Sequence, residues 1–146
     1  MLKGIDPLIP PDLLHVLALM GHGDQIAIVD ANFPAASVAR RLIGLAGVSA
    51  PRALQAVLSL LPIDTFEPDP TRVMAAVDAS AGLPGPVKEF MAILEAAGLA
   101  PPVPLERHGF YAAAAGAFAV VQTGERRFYG NILLTKGVIP PEGGAP

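Results

Sequence analysis

The sequence predicts an α/β protein, a single αβα sandwich around a central mixed, largely parallel sheet. Three observations lead there. Helix-periodic apolar stretches alternate with short β-like runs along the chain. Two of those runs, QIAIVDA (25–31) and FAVVQT (118–123), are apolar on both faces, as strands buried between two helix layers are. The length of 146 residues suits one domain with a real core, and no internal repeat divides it. One domain is expected over residues 1–140. The chain ends in PPEGGAP, and residues 141–146 are expected to form a flexible tail.

The elements follow in order. Leu13, Val16, Leu17 and Met20 repeat at i, i+3, i+4, i+7, which is one helix face. Pro11 suits the first helical position, Asp12 the N-terminal dipole, and Gly21 the stop. The run QIAIVDA reads as a buried strand, and VARRLI (38–43) as a second. Leu54, Val57, Leu58 and Leu61 mark another helix between Pro51 and Pro62. A strand-like run, RVMAAVD (72–78), precedes a third helix carrying Val87, Phe90, Met91 and Leu94 between Pro86 and Gly98. FYAAAAGA (110–117) reads as a short fourth helix, since alanine is a good helix former. FAVVQT and NILLTKG (131–137) close the series, while GLPGP (82–86) and LAPPVP (99–104) read as rigid connectors.

Composition narrows the function. Apolar residues make up 52% and charged residues 16%, so part of the surface is expected to be covered by sister subunits. A net charge of −3 gives no reason to expect a nucleic-acid or anionic-membrane partner. The absence of cysteine removes disulfides and thiolate metal sites. No apolar run approaches a membrane span, and MLKGIDPLIPPD lacks the apolar core of a signal peptide, so the cytoplasm is expected. There is no glycine-rich phosphate loop and no nucleophile elbow. The histidines at 15, 22 and 108 show no metal-ligand spacing, and His15 falls on a solvated helix face. No metal and no cofactor are expected. What remains is acid–base work by a histidine, supported by hydrogen-bonding groups.

The segment MGHGDQIAIVDANFP (20–34) supplies the first candidates. His22 stands between Gly21 and Gly23, which permit a tight turn, and it could equally close the preceding helix by bonding a carbonyl. Asp30 ends its strand, where open α/β sheets bind ligands, although Asp30, Asn32 and Pro34 together also suit a plain turn. In ERHGFY (106–111), Arg107 could fork its donors onto ligand oxygens or pair with a surface acid. In TGERRFYGN (123–131), the stretch between two strands is long for a hairpin, and Tyr129 and Asn131 flank Gly130. A carboxylate, a guanidinium, a phenol and an amide suit a neutral polyol.

These residues carry a resemblance. MLKGIDPLIPPDLLHVLALMGHGDQIAIVDANFPA, RHGFY and TGERRFYGNILLTKGV resemble the start and end of the RbsD/FucU family of L-fucose mutarotases and D-ribose pyranases. The resemblance implies an α/β fold and cofactor-free conversion between the anomers of a reducing sugar. It also implies a ring-like homo-oligomer with sites near subunit contacts. It assigns His22 as proton donor, and Asp30, Arg107, Tyr129, Gly130 and Asn131 to the sugar. Tyr129 is one candidate for the group complementary to His22, with Asp30 or a water as others. The arginine before FY, and YGN, favour the fucose branch. Some relatives carry histidine where this chain has Asn32. Pyranose–furanose conversion of ribose, or sugar binding without catalysis, stay open as alternatives.

Overall fold

The computed structural model describes residues 1–143. Its sheet has six strands: β1 (Gln25–Val29), β2 (Leu42–Leu45), β3 (Thr71–Met74), β4 (Val103–Leu105), β5 (Ala119–Thr123) and β6 (Ile132–Thr135). They lie in the order β2-β5-β1-β6-β3-β4. The pairs β1–β5, β2–β5 and β3–β4 are parallel, while β6 runs antiparallel to both its neighbours, β1 and β3. Five strands therefore point one way and β6 the other, so the sheet is mixed and largely parallel, as the sequence predicts.

The pleat of β1 divides the interior. Ile26 and Ile28 face one helix layer, Ala27 and Val29 the other. On the first side the strands meet α1 (Pro11–Leu19), α3 (Ala50–Leu58) and α4 (Gly85–Ala96) through Leu13, Leu54 and Phe90, all fully buried. On the second side Val120 and Leu133 meet α2 (Ala35–Val38) and α5 (Arg107–Gly116) through Ala35, Phe110 and Ala114. No described helix is long and apolar enough to cross a membrane.

Several boundaries differ from the sequence reading, each for a local reason. Within VARRLI the strand begins only at Leu42, because Pro34 opens the four-residue helix α2 ahead of it. LAPPVP is more than a connector, since β4 runs through it. Pro104 lacks an N–H, which an edge strand tolerates and a central one does not. RVMAAVD leaves the sheet after Met74. Gly21 does not stop α1 in the left-handed region; the positive φ falls on Gly23, at +85°. Helix α5 starts three residues before FYAAAAGA, because the Glu106 carboxylate accepts from the N–H groups of His108 (2.9 Å) and Gly109 (3.1 Å). Of the tail expected at 141–146, residues 141–143 are exposed and the rest lie outside the described residues.

One connection shapes the site. Strands β5 and β6 are consecutive in the chain but lie on opposite sides of β1. Residues 124–131 are thus not a hairpin loop: they cross over the carboxyl end of β1. Their length is the length of that crossing. Where the loop passes β1, the Ala31 N–H donates to the Glu125 carbonyl at 2.9 Å.

Candidate active site

The crossing loop and the ends of the parallel strands enclose a cavity of about 300 Å³ at the carboxyl edge of the sheet. This is where open α/β sheets bind ligands, and the volume stands at the small end of ligand pockets. Asp30 enters from the end of β1, Met74 from the end of β3, Arg107 from the first residue of α5, and Tyr129 and Asn131 from the crossing loop. Phe33, Tyr111 and Phe128 give it apolar walls.

Asp30 and Asn131 are built into the floor. Asp30 is 4% exposed and Asn131 3%. The Asp30 N–H donates to Asn131 Oδ1 at 2.9 Å, and Asp30 Oδ1 accepts from the Asn32 N–H at 3.0 Å, an Asx turn. Asn131 Nδ2 points at Met74 Sδ, 3.7 Å away, a weak partner that leaves the amide free to serve a better acceptor. Gly130 lets the loop approach: a Cβ there would stand 2.7 Å from Glu125 Cγ and 3.3 Å from Asp30 Cβ. Tyr129 is held at φ +62°, a left-handed conformation uncommon for residues other than glycine. Its hydroxyl oxygen accepts from the Val77 N–H at 3.1 Å, so the phenolic proton remains available to donate. Arg107 is exposed and, among the described residues, forms no ion pair; its neighbour Glu106 is spent on the helix cap.

Burial pushes the Asp30 carboxyl above its usual range, against the opposing pull of N–H donors from Asn32, Phe33 and Gly130 and of the Asn131 side chain. A carboxyl raised in the folded state contributes stability below its unfolded pKa and loses it as pH rises through the folded one. Once ionised, Asp30 is therefore a net cost to the folded state. Asp30→Asn should raise the melting temperature above the pH at which the parent's carboxyl ionises. Thermal melts across pH check this, and the gain should vanish below about pH 4, where both states of the parent are protonated.

His22 lies elsewhere. It precedes β1, at the amino edge, where its Nε2 meets Asp64 Oδ1 at 2.9 Å and its ring stands 5.2 Å from Phe66. At about 3.3 Å per residue, β1 alone puts on the order of 15 Å between His22 and Asp30. One chain thus brings Asp30, Arg107, Tyr129, Gly130 and Asn131 together and leaves His22 at the far end of the sheet.

The histidine has its own support, which the sequence reading missed. The Asp64 side chain is 1% exposed against 45% for His22. Asp64 also accepts from the N–H groups of Phe66 (3.3 Å) and Glu67 (3.1 Å), while its own N–H donates to the Thr135 carbonyl at 3.0 Å. Burial alone would raise its carboxyl, but bonds from His22, Glu67 and Phe66 outweigh this and hold it below the usual range. An ionised carboxylate only accepts, so Nε2 carries a proton toward Asp64 and Nδ1 is left facing outward. In the sequence, Asp64 sits in PIDTFEPDP, which reads as turn chemistry. Among the described residues no three histidine or acidic side chains converge as a metal would require.

Comparison with known proteins places the fold among relatives. The model of the RbsD / FucU transport protein family matches residues 3–139. Fucose mutarotase of Bos taurus is 45% identical over 147 residues, covering 97% of this chain and 96% of that protein. The crystal structure of the fucose mutarotase in complex with L-fucose from Streptococcus pneumoniae superposes with a TM-score of 0.90 at 38% identity, covering 95% of this chain and 100% of that one. Bacillus subtilis RbsD complexed with D-ribose shares the fold, with a TM-score of 0.74 at 23% identity over 96% of this chain and 100% of that one. A family match over almost the whole chain and a near-complete superposition converge, and the chain belongs to the RbsD/FucU family.

Proposed function

We propose that the protein interconverts the α and β anomers of L-fucose, in sites assembled between copies of the chain. The observation that carries this reading is the division of the site by the sheet. A sugar-sized pocket with a polar floor and apolar walls lies at one edge, and an oriented imidazole lies at the other. Each edge also exposes large apolar side chains: Leu19, Phe66 and Ile139 at the amino edge, Val77 and Phe128 at the carboxyl edge. Unlike edges that join head to tail give a heterologous contact, which closes into a ring when the rotation allows. Such a contact delivers His22 of one copy to the pocket of the next. The cytoplasm suits a protein with this role.

The chemistry needs only side chains. Ring opening requires an acid to protonate the ring oxygen and a base to take the anomeric hydroxyl proton. Closure on the other face of the carbonyl reverses both transfers. Imidazole donates and accepts near neutrality, and in this reading the Tyr129 phenol, whose proton is free to donate, acts as its complement. Asp30, Arg107, Gly130 and Asn131 bind and orient the hydroxyls, while Phe33, Tyr111 and Phe128 suit the methyl group of a 6-deoxy sugar. Positioned acid–base groups typically contribute about 10²–10⁴-fold, enough for a reaction that already proceeds in water. Exchange NMR on equilibrated L-fucose should show faster anomer exchange on adding the protein. D-Ribose run in parallel tests the pyranase alternative. No acceleration with either sugar sinks the enzymatic reading. Arg107→Met should weaken fucose binding with little change in melting temperature, because the arginine is exposed and the replacement keeps its stem.

A further inference from the structure

A chain of charges outside the sugar pocket links the crossing loop to α4. Arg127 forks Nε and Nη2 onto Oε1 and Oε2 of Glu125, at 2.9 and 3.0 Å. It also holds Glu89 of α4, Nη1 to Oε1 at 2.6 Å and Nη2 to Oε2 at 3.1 Å. The Arg127 N–H donates to Glu125 Oε1 at 3.0 Å. Glu125 is 4% exposed, whereas Arg127 and Glu89 are about half exposed. Bonds from Arg127 are the main cause holding both carboxyls below their usual range.

Glu125 is the base on which the pocket loop rests. Its N–H donates to Thr123 Oγ1 at 3.2 Å, and that hydroxyl donates to the Val29 carbonyl at 2.8 Å. Its carbonyl holds Ala31, and its Cγ is the atom that Gly130 packs against, with Tyr129 and Asn131 on either side. Tyr129, two residues beyond Arg127, keeps a left-handed backbone, which persists only where the surroundings over-determine it. The bidentate forks supply that constraint, and a lysine, with one point charge, does not reproduce them.

We propose that Arg127, clamped between Glu125 and Glu89, is a positioning residue that fixes the crossing loop so that the Tyr129 hydroxyl faces the sugar pocket. The proposal rests on the reading of Tyr129 as a proton-transfer group. Arg127 is not among the residues that line the pocket. The half-exposed pair with Glu89 contributes little to stability, whereas the pair with buried Glu125 does contribute, so the position of Tyr129 has to be read separately from stability.

The test uses the full-length protein labelled with fluorotyrosine. Fluorine NMR follows Tyr129 without sugar, its resonance assigned by its loss in Tyr129→Phe. Anomer-exchange kinetics are measured in parallel. Arg127→Met should lower kcat about 10-fold, as expected for a displaced catalytic group, change KM less than about 2-fold, and shift the Tyr129 resonance. Unchanged kcat with an unmoved resonance overturns the proposal. So does a lowered melting temperature with an unmoved resonance, which is a structural role only. If the parent exchanges no sugar, the functional reading fails, and the fluorine shift alone still decides the clamp. If Arg127→Met does not fold, Glu89→Gln loosens the outer anchor from the surface of α4. It should move the same resonance, and no movement there overturns the proposal.

Discussion

A His22→Ala chain and an Arg107→Met chain, each close to inactive alone, should regain anomer exchange when assembled together. In a His22→Ala homo-oligomer every pocket lacks its imidazole, and exchange should fall by about 10²–10⁴-fold. In an Arg107→Met oligomer every pocket lacks its guanidinium, and sub-saturating fucose should be turned over poorly. Each defect lies at a different edge of the sheet. In a mixed assembly some junctions pair the intact amino edge of the arginine variant with the intact carboxyl edge of the histidine variant. With equal, random mixing about a quarter of head-to-tail contacts should be of this kind. Co-expression under two affinity tags, followed by exchange NMR on the doubly purified oligomer, measures the recovery. Melting temperatures should change little, because both side chains are substantially exposed. Absence of recovery in an oligomer proven to be mixed would mean that His22 does not serve the neighbouring pocket.

Asp64→Asn should be nearly as damaging to activity as loss of His22 and should cost more stability, because the carboxylate is buried and accepts three bonds. The carboxylate has two oxygens for three donors: Oδ1 serves His22 and the Phe66 N–H, and Oδ2 the Glu67 N–H. An amide has one acceptor. If its oxygen faces His22, its NH₂ opposes the Glu67 N–H. If it turns over, it donates to Nε2 and drives the imidazole into the other tautomer, with the proton on Nδ1. The first arrangement sets two donors against each other and loosens the turn that holds His22, and the second starts the outward nitrogen in the wrong state. Inverting a catalytic histidine through its carboxylate partner costs up to about 10⁴-fold in enzymes that depend on such a pair, and about 10²-fold is expected here because the Tyr129 side of the reaction remains. Kinetics on the purified variant, with nitrogen-15 NMR of the imidazole to read the tautomer, check both halves. Wild-type exchange rates would reduce Asp64 to a turn-forming residue. The lowered Asp64 carboxyl adds a pH dependence with a definite sign. Its contribution to stability is present above the ordinary aspartate pKa and disappears as pH falls through the lower folded value, so Asp64→Asn should narrow the stability gap to the parent in acid.

The parts of the fold written in periodicity were legible. The alternation in QIAIVDA marks a strand with two buried faces, and the spacing of Leu54, Val57 and Phe90, Leu94 marks the helices that cover one of them. Strand β4 was hidden because its central residue is a proline, which argues against a strand unless the edge position is already known. The start of α5 depends on the Glu106 cap, and no apolar period reports a cap. For the site, Asp30, Arg107, Tyr129 and Asn131 were readable as strand-end and motif residues, and one cavity gathers them. Asp64 was not readable, since its tie to His22 spans 42 positions and only the folded sheet brings the two together. The division of the site was latent in strand geometry, because residues at the two ends of one buried strand face opposite edges.

The position of β6 bears on how the protein is made. The strands it joins, β1 and β3, are synthesised long before it, and neither pairs with the other. Without Ile132–Thr135 the other five strands form two half-sheets, β2-β5-β1 and β3-β4, with unpaired edges where the centre of the finished sheet will be. Such edges invite pairing with other chains. Truncation between Thr123 and Ile132 should therefore yield an aggregation-prone polypeptide rather than a slightly shortened protein, because the sheet closes only when β6 is inserted.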